Sequence, residues 1–230
     1  MLRIVSSKSK RFRDRVEAGR LLAQELIELY GQRVVVLGIP RGGIVVAREM
    51  AHALVADLDI VLARKLRTPG QWELAMGSVA EDGKLFVNER VAGELGVSES
   101  EIMREKAIQL NEIDRRRQLI RKIQPKVALK DRVVLVTDDG VATGSTAQAA
   151  LWAVRQENPR KLIAAFPVGA PDTLARLAEY ADEVVCLSAP SLFFAVGQFY
   201  ERFEPVEDED VLEILKEEVE MGRARAKAGS

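Results

Sequence analysis

One cysteine, Cys186, and one histidine, His52, occur among the 230 residues. These numbers rule out a disulfide within the chain and a zinc site built from cysteine and histidine. Long apolar runs are missing too, because no stretch approaches the roughly 20 residues of a membrane-spanning helix. The basic segment 1–15 lacks the apolar core of a signal peptide. We therefore expect a cytoplasmic protein without a membrane partner.

An excess of either charge is also missing, since Lys and Arg total 34 and Asp and Glu total 35, for a formal net charge of −1. Proteins whose main task is to bind nucleic acid usually carry a basic surplus, so we expect no nucleic-acid partner. Hydrophobic residues, by contrast, make up 47% of the chain, which is enough for a full core. The length suits a single domain that spans residues 1–230.

Runs of β-branched and aliphatic residues alternate with helical patterns along the chain. This alternation predicts an α/β fold with a central parallel sheet of about five strands, flanked by helices and joined by right-handed crossovers. Residues 1–12 show neither pattern, and we predict no regular element there. The predicted strands cover residues 33–37, 58–63, 133–136, 162–168 and 183–187, and the predicted helices cover 13–30, 44–54, 98–123, 147–154, 171–180 and 208–221.

Two stretches interrupt this alternation. Residues 64–88 are rich in Gly and hold two short β-like pieces around a turn at 81–84, a pattern that predicts a hairpin. Residues 88–124 form a helical insertion whose long helix begins with a capping box at 98–101. That helix is highly charged. It is either an exposed helix packed by one edge or a polyanion-binding surface around the arginines at 115–117.

The stretch 133–146 combines a strand with chemically distinctive residues. Four apolar residues precede Asp138 and Asp139, which stand where the strand should end, and a loop of Gly, Thr and Ser then leads into a helix. Backbone N–H groups in such a loop, with a helix N-terminus behind them, form an anion site suited to phosphate. Two carboxylates beside a bound phosphate would be repulsive unless the ligand also offers hydroxyls or a magnesium ion for them to hold.

A second loop, at 38–43, follows the first predicted strand. It is not a dinucleotide-binding fingerprint, because Pro40 and Arg41 occupy the middle of the pattern and the acidic residue of that motif is missing. It is not a P-loop either, since no Gly-Lys-Ser/Thr closes it. Arg41, Gly42 and Gly43 offer a cation and close backbone approach, which suits a second phosphate or a pyrophosphate.

The run 138–146, preceded by four apolar residues, resembles the phosphoribosyl-pyrophosphate (PRPP) motif of the type I phosphoribosyltransferases. The resemblance covers most of the chain and agrees with the α/β order of elements. It implies a flexible lid at about 64–88 and a small hood built from about 1–12 and 188–205. Three further segments resemble a bacterial branch of the family: 64–66, 73–77 and 196–200.

The resemblance also implies roles for the residues of both loops and of the lid. Asp138 and Asp139 would hold the ribose hydroxyls, directly or through water bound to Mg²⁺, and would be catalytic together with Arg64 and Lys65. The lid cations would neutralise the leaving pyrophosphate while the closed lid excludes water. Family members often hold a strained or cis peptide at the pyrophosphate loop. The implied 5′-phosphate ligands are Ala142, Thr143, Gly144, Ser145 and Thr146, and the implied pyrophosphate ligands are Arg41, Gly42 and Gly43.

The implied reaction transfers ribose 5-phosphate from PRPP to a nitrogen acceptor, a small molecule with a nucleobase-like ring, and releases pyrophosphate. Members that act on 6-oxopurines carry an Asp where this chain has Ala142 and a Lys where it has Val168 or Gly169. Phe194 is the candidate to cover the acceptor ring, although ordinary packing explains this aromatic segment equally well. The missing acceptor residues leave an alternative open, a PRPP-binding regulator without transferase activity. Family members commonly form homodimers, so a homodimer is the implied assembly.

Other aromatic and titratable residues have ordinary interpretations. Trp72 in the lid either packs within it or contacts the acceptor, and Trp152 on a predicted helix belongs to the core. His52 has a packing or surface role, or is a general base. Cys186 on a predicted strand is expected to be buried and inert.

Overall fold

The computed structural model describes the backbone of residues 1–69 and 71–228 and the side chains of residues 1–69 and 75–222. The strands are β1 (Leu2–Ser6), β2 (Val34–Gly38), β3 (Asp57–Ile60), β4 (Ala63–Thr68), β5 (Gln71–Ala80), β6 (Leu85–Val87), β7 (Val133–Thr137), β8 (Lys161–Val168) and β9 (Glu183–Ser188). The helices are α1 (Arg15–Gln24), α2 (Gly43–Leu54), α3 (Glu89–Glu94), α4 (Glu99–Ile123), α5 (Ser145–Arg155), α6 (Pro171–Leu177) and α7 (Asp208–Ala228).

Six of these strands form the central sheet, in the order β1-β9-β8-β7-β2-β3, and every pairing within it is parallel. Strands β2 and β7 lie side by side in the middle and are buried along their whole length. Their side chains alternate between two faces, because successive residues of a strand point to opposite sides. Val34 and Val36 join the core under α1 and α2, and Val35 joins the core under α5 and α6. The predicted α/β class and the parallel sheet are confirmed.

The sheet has one more strand than the five or so predicted, and the additional strand is β1. Its apolar residues Leu2, Ile4 and Val5 are each more than a third exposed, so the segment carries no burial pattern to reveal it. Hydrogen bonds from its backbone to β9, at the edge of the sheet, define it instead. Residues 2–6 therefore belong to the central sheet and not to the predicted hood. Near the hood, the chain at Phe12 forms a parallel bridge with Tyr200.

The first predicted helix, 13–30, is longer than the observed one. Helix α1 ends at Gln24, and a short 3₁₀ turn at Ile27–Leu29 follows it. The N–H of Leu26 bonds to the carbonyl of Ala23, three residues back, so the backbone changes from α-helical to 3₁₀ hydrogen bonding there. Leu26 and Leu29 are buried although they lie beyond the end of α1. Their spacing therefore continues the helical pattern of apolar residues in the sequence.

The stretch after β3 forms a second, antiparallel sheet of the strands β4, β5 and β6. Its β5–β6 connection is the predicted hairpin turn, with Gly83 at φ +78°. The sheet has buried residues of its own, Leu66, Met76 and Val79, and Phe86 packs on Trp152 of α5 with ring centroids 4.5 Å apart. The predicted lid region is thus a small sheet that packs against α5.

Helix α4 packs against β4 and β5 of this sheet. It begins with the predicted capping box. Only one edge of it is buried, through Gln109, Ile113 and Ile120. Near its end Arg121 bonds to two buried carboxylates, Asp59 of β3 and Glu81 after β5. That network joins the insertion and the small sheet to the central sheet.

Candidate active site

The two loops that the sequence singled out lie next to each other. Strands β2 and β7 are parallel neighbours, with Gly38 paired to Thr137 at their carboxyl ends. The chain after β7 presents Asp138 and Asp139, and the chain after β2 contains a cis peptide bond between Pro40 and Arg41. A cis peptide in this loop is what the resemblance implied. Ligands of parallel α/β sheets bind at this edge.

The loop after the carboxylates has the geometry of an anion site. Gly144 adopts φ +77° and immediately precedes α5, and no side chain among the described residues caps that helix. The first N–H groups of a helix have no intrahelical acceptor, so those of α5 are available to a ligand. The Thr173 hydroxyl donates to the Ala142 carbonyl at 2.6 Å, and Arg176 donates to the Thr143 carbonyl at 3.1 Å. The carbonyls of the loop are therefore tied back to α6.

Each of the two carboxylates has a specific partner. Asp139 Oδ2 accepts from Nε of Arg15 at 2.8 Å, and the guanidinium of Arg15 also lies 3.9 Å from the centroid of the Phe203 ring. Asp138 Oδ1 accepts the backbone N–H of Asp139 at 2.8 Å. The hydroxyl of Tyr200 donates to the carbonyl of Asp139 at 2.5 Å. These contacts hold both carboxylates at the end of β7.

Burial controls the protonation of the pair. Burial raises the pKa of Asp138 well above its usual range, and the neighbouring charge of Asp139 adds to the rise. Burial likewise raises the pKa of Asp139, although its hydrogen bond and ion pair with Arg15 oppose the rise. Arg15 therefore favours the charged form of Asp139, the form that best accepts hydrogen bonds from hydroxyl groups.

A cavity of about 240 Å³ adjoins the two loops. Pro40 of the first loop and Thr146 at the start of α5 form one side of it. The opposite side is basic, and its cations come from β4 and α4: Arg64, Lys65, Arg67 and Arg116. The structure thus brings the predicted lid cations Arg64 and Lys65 to the loops of the site. Arg41 lies outside this cavity and forms an ion pair with Glu207 at 2.5 Å.

Phe194, the candidate to cover the acceptor ring, does not line this cavity. Phe194 is 83% exposed, on the loop before the 3₁₀ turn at Val196–Phe199. The side chain of Trp72 lies outside the described residues. His52 is half-buried on α2 and bonds to Glu218 of α7, which agrees with a packing role.

Two residues with ordinary predictions behave as expected. Trp152, on α5, is buried in the core. Cys186 is fully buried, and burial raises the pKa of its thiol to about 12.

The sequence alone did not predict Arg15, Tyr200 or Arg116 as residues of the candidate site. Arg15 lies 124 positions from its partner Asp139, and nothing in its local sequence marks it. Tyr200 falls in a segment that resembles the family, and Arg116 falls in the run of three arginines at 115–117, one candidate for a polyanion-binding surface. The family segment and the arginine run were therefore the available signals.

The donor set suits a hard cation that brings other ligands with it. Among the described residues no group of three or more His, Cys, Asp or Glu side chains could hold a metal ion by itself. Asp138 and Asp139 supply carboxylate oxygens, and Mg²⁺ is typically bound by one or two carboxylates, waters and substrate phosphates. The two aspartates therefore fit Mg²⁺ held together with a phosphorylated ligand.

Within the described part of the chain, no helix has the length and apolarity needed to cross a membrane.

Comparisons with known proteins agree with this geometry. Two proteins of Mycobacterium tuberculosis, from strains CDC 1551 and H37Rv, are named "Putative phosphoribosyl transferase MT0597" and "Putative phosphoribosyl transferase Rv0571c". Each is 45% identical over 206 residues, which is 90% of this chain and 46% of the relative. The chain thus spans about half the length of these curated relatives. TT1426 from Thermus thermophilus, whose crystal structure is known, is 47% identical in sequence to this chain. The alignment covers 90% of this chain and 98% of TT1426, and the two structures superpose with a TM-score of 0.83.

The sequence model of the phosphoribosyl transferase domain matches residues 11–203, which include both loops and both aspartates. Since that match covers most of the chain and the fold places the motif at the carboxyl edge of the parallel sheet, this chain belongs to the phosphoribosyl transferase family.

Proposed function

We propose that this chain transfers the ribose 5-phosphate group from PRPP to a nitrogen acceptor, a nucleobase-like ring, and releases pyrophosphate. One observation carries the proposal. The loop at the start of α5, the carboxylates of Asp138 and Asp139, and the Arg41 loop lie side by side at the ends of β7 and β2. PRPP carries a phosphate, ribose hydroxyls and a pyrophosphate in the same order.

Each part of PRPP then has a partner. The 5′-phosphate is proposed to lie on the N–H groups of residues 143–146, where the dipole of α5 favours an anion. The ribose hydroxyls donate to Asp138 and Asp139. The pyrophosphate lies against the loop of Arg41, Gly42 and Gly43, where the guanidinium of Arg41 offers a cation.

The charges suit the reaction. Breaking the C1–O bond of PRPP leaves cationic character on the ribose ring and negative charge on pyrophosphate. The carboxylates therefore belong near the ring, and Arg64 and Lys65, two of the cations of the 240 Å³ cavity, belong near the leaving group. The packed sheet of β4, β5 and β6 covers α5 beside this cavity and would limit the access of water.

The proposal includes Mg²⁺ as the cofactor, held by Asp138 and Asp139 through water and by oxygens of PRPP. When bound, the ion would neutralise part of the developing charge on pyrophosphate. Arg15 favours the charged form of Asp139 against the effect of burial, which raises its pKa. No covalent nucleophile is needed, which agrees with the buried and protonated state of Cys186.

Two observations favour the second candidate, a PRPP-binding regulator that does not transfer. Phe194 is 83% exposed, and Ala142 offers no side-chain hydrogen bond to an acceptor ring. A site that binds PRPP without holding an acceptor would have this form. The two candidates share the PRPP site and differ only in turnover.

Calorimetry with PRPP and Mg²⁺ tests the shared site. The unaltered protein should bind PRPP, and Asp139→Asn should weaken binding by at least about tenfold, since a hydrogen bond to a charged group contributes roughly 1.5–3 kcal/mol. Asp172→Asn, an exposed carboxylate on α6, is the matched control and should bind normally. No binding of PRPP by the unaltered protein would overturn the proposal.

Pyrophosphate release over a panel of nitrogen heterocycles separates the two candidates. Release with any one of them supports the transferase and identifies the acceptor class. Binding of PRPP without release across a broad panel would instead support the regulator. The homodimer implied by the family and the cytoplasmic location expected from the sequence stay part of the proposal, and light scattering tests the homodimer.

A further inference from the structure

Helix α4 brings a cation to the cavity that the PRPP motif does not include. We propose that Arg116 is a further pyrophosphate-binding residue and that Asp208, the first residue of α7, positions it. This inference rests on the proposed function, because it names a residue for the leaving-group end of the same site. The insertion that carries Arg116 would then be part of the site and not only a packed appendage.

The position of Arg116 on α4 explains how it reaches the cavity. Ile113 and Ile120 are the buried residues of the helix in this region, each 3% exposed. Arg116 lies three residues after Ile113 and four before Ile120, so it shares their face. A long side chain on a buried face covers apolar surface with its stem and carries its charge outward. Here the charge reaches the cavity lined by Pro40.

The charged side chains that line the cavity are mostly basic. Four cations line it, and among the described residues that line it Glu112 is the one carboxylate. Glu112 is 62% exposed and lies 4.0 Å from Arg64, so it offsets little of this charge. The volume of about 240 Å³ accommodates a pyrophosphate. A guanidinium can bind two phosphate oxygens at once with parallel N–H groups, which suits Arg116 to this ligand.

Asp208 is placed to orient Arg116. Its Oδ1 lies 3.2 Å from Nη2 of Arg116, and Asp208 is 23% and Arg116 31% exposed, so solvent only partly screens the pair. No other polar partner of Arg116 occurs among the described residues, so its remaining N–H groups can face the cavity. The ion pair thus holds one end of the guanidinium and leaves the other for a ligand.

The neighbouring Arg115 provides a matched control within the same helix. It contacts the same carboxylate, with Nη2 3.0 Å from Asp208 Oδ2. Yet Arg115 is 69% exposed and does not line the cavity. A change of Arg115 to Gln removes the same charge from the same region, and only the direction of the side chain differs.

Binding of inorganic pyrophosphate and of ribose 5-phosphate, each with Mg²⁺, gives the test. Arg116→Gln should weaken the binding of pyrophosphate by about tenfold, the effect of losing one charge-assisted contact, and should leave ribose 5-phosphate binding within about twofold. Arg115→Gln should leave both affinities within about twofold. Normal ribose 5-phosphate binding shows that Arg116→Gln is folded.

Three results would overturn the role of Arg116: no change in pyrophosphate affinity in Arg116→Gln, an equal loss in Arg115→Gln, or a loss of ribose 5-phosphate binding together with pyrophosphate binding. If the unaltered protein binds PRPP and one of these occurs, only this inference fails. If it does not bind PRPP at all, the proposed function fails first.

Asp208→Asn tests the positioning role. It should weaken pyrophosphate binding in the presence of Arg116 and have little further effect in the double variant with Arg116→Gln, because the carboxylate acts through the arginine. A merely electrostatic role predicts the opposite sign, since removal of a negative charge should tighten the binding of an anion. Tighter binding by Asp208→Asn would therefore overturn the assignment.

Discussion

The carboxylate of Asp139 occupies the space that a Cβ atom on Gly42 would fill. The two residues come from the loops that follow β7 and β2, and Nε of Arg15 lies 3.0 Å from the same point. A glycine is therefore what allows the Asp139 carboxylate, Arg15 and the Arg41 loop to meet. Gly42 has φ −60° and ψ −34°, which any residue can adopt, so the requirement is for space and not for an unusual backbone.

Gly42→Ala should therefore damage the site by steric displacement. The added methyl group would push the Asp139 carboxylate away from Arg15, and overpacking of this kind costs about 1–3 kcal/mol. We expect PRPP affinity, measured by calorimetry, to fall by about tenfold or more.

Gly93→Ala is the control for this change. Gly93 lies within α3 with no atom within 4 Å of its added Cβ, and alanine is the better helix former. Its PRPP affinity should stay normal and its stability should rise slightly. Normal PRPP binding by Gly42→Ala would contradict the steric argument.

The ion pair between Arg15 and Asp139 leads to a prediction about pH. Burial raises the pKa of Asp139, and Arg15 opposes the rise, so Arg15→Gln should let the pKa climb further. The carboxylate then accepts a proton at a higher pH as the solution is acidified. PRPP binding should consequently be lost at a higher pH in Arg15→Gln than in the unaltered protein.

Titration of PRPP affinity against pH measures this shift. The phosphates of PRPP titrate identically in both proteins, so the difference between the curves reports the protein. Arg20→Gln, also on α1 and 62% exposed beside Glu49, should leave the curve in place. Coincident curves for Arg15→Gln and the unaltered protein would refute the prediction.

The parts of the site that the sequence predicted are contiguous in the chain. The strand β7, the two aspartates, the loop and the start of α5 occupy a single run, so the alternation of a buried strand and small residues was enough to find them. The loop with Arg41 was found for the same reason. That these loops are neighbours follows from the parallel pairing of β2 and β7, which the alternation of strands and helices allows but does not prove.

The parts that the sequence did not predict depend on contacts between distant segments. Arg15 joins the candidate site only because the first residue of α1 lies beside Asp139, which follows β7. Strand β1 exists through backbone pairing at a sheet edge and has no buried side of its own. Arg116 could be placed on a buried helix face from its spacing, but the cavity it faces is formed by β4 and the Arg41 loop. Such features require the tertiary structure.

The ion pairs of Arg121 with Asp59 and Glu81 predict that replacing this arginine lowers the free energy of unfolding. Arg121 bonds to Glu81 at 2.6 and 2.8 Å and to Asp59 at 2.8 Å, and Asp59 is only 1% exposed. Arg121→Met would leave the buried Asp59 without its cation and Glu81 with only the more distant Lys126, 4.0 Å away. Loss of one partner from a buried ion pair typically costs about 3–5 kcal/mol, so the urea midpoint should fall strongly.

Arg117→Met is the matched control, one turn earlier on α4. Arg117 pairs with Asp114 at 2.9 Å, but both side chains are close to half exposed. Exposed pairs of this kind contribute about 0.3–0.5 kcal/mol, so its unfolding curve should barely move. Equal unfolding curves for the two variants would show that the network of Arg121 does not join the insertion to the core.

Asp138 provides a prediction whose sign is opposite to the usual effect of a lost carboxylate. Burial, reinforced by the charge of Asp139, raises the pKa of Asp138 well above its value in the unfolded chain. The folded state therefore holds a proton at pH values where the unfolded state has released it. Stability from this group is fully present below the unfolded pKa and is lost as pH rises through the raised one.

Asp138→Asn should remove that loss. The asparagine carries no charge, and its Oδ1 can still accept the N–H of Asp139. The variant should have a higher free energy of unfolding than the unaltered protein at pH 8, with a difference that shrinks on acidification and vanishes below the unfolded pKa of about 4, where Asp138 is protonated in both states. Asp172→Asn, in the first turn of α6, should show the opposite sign at pH 8, because it removes a favourable charge from a helix N-terminus. Urea unfolding at several pH values would measure both, and a destabilised Asp138→Asn at pH 8 would mean that the carboxylate is stabilised by its surroundings and not strained by burial.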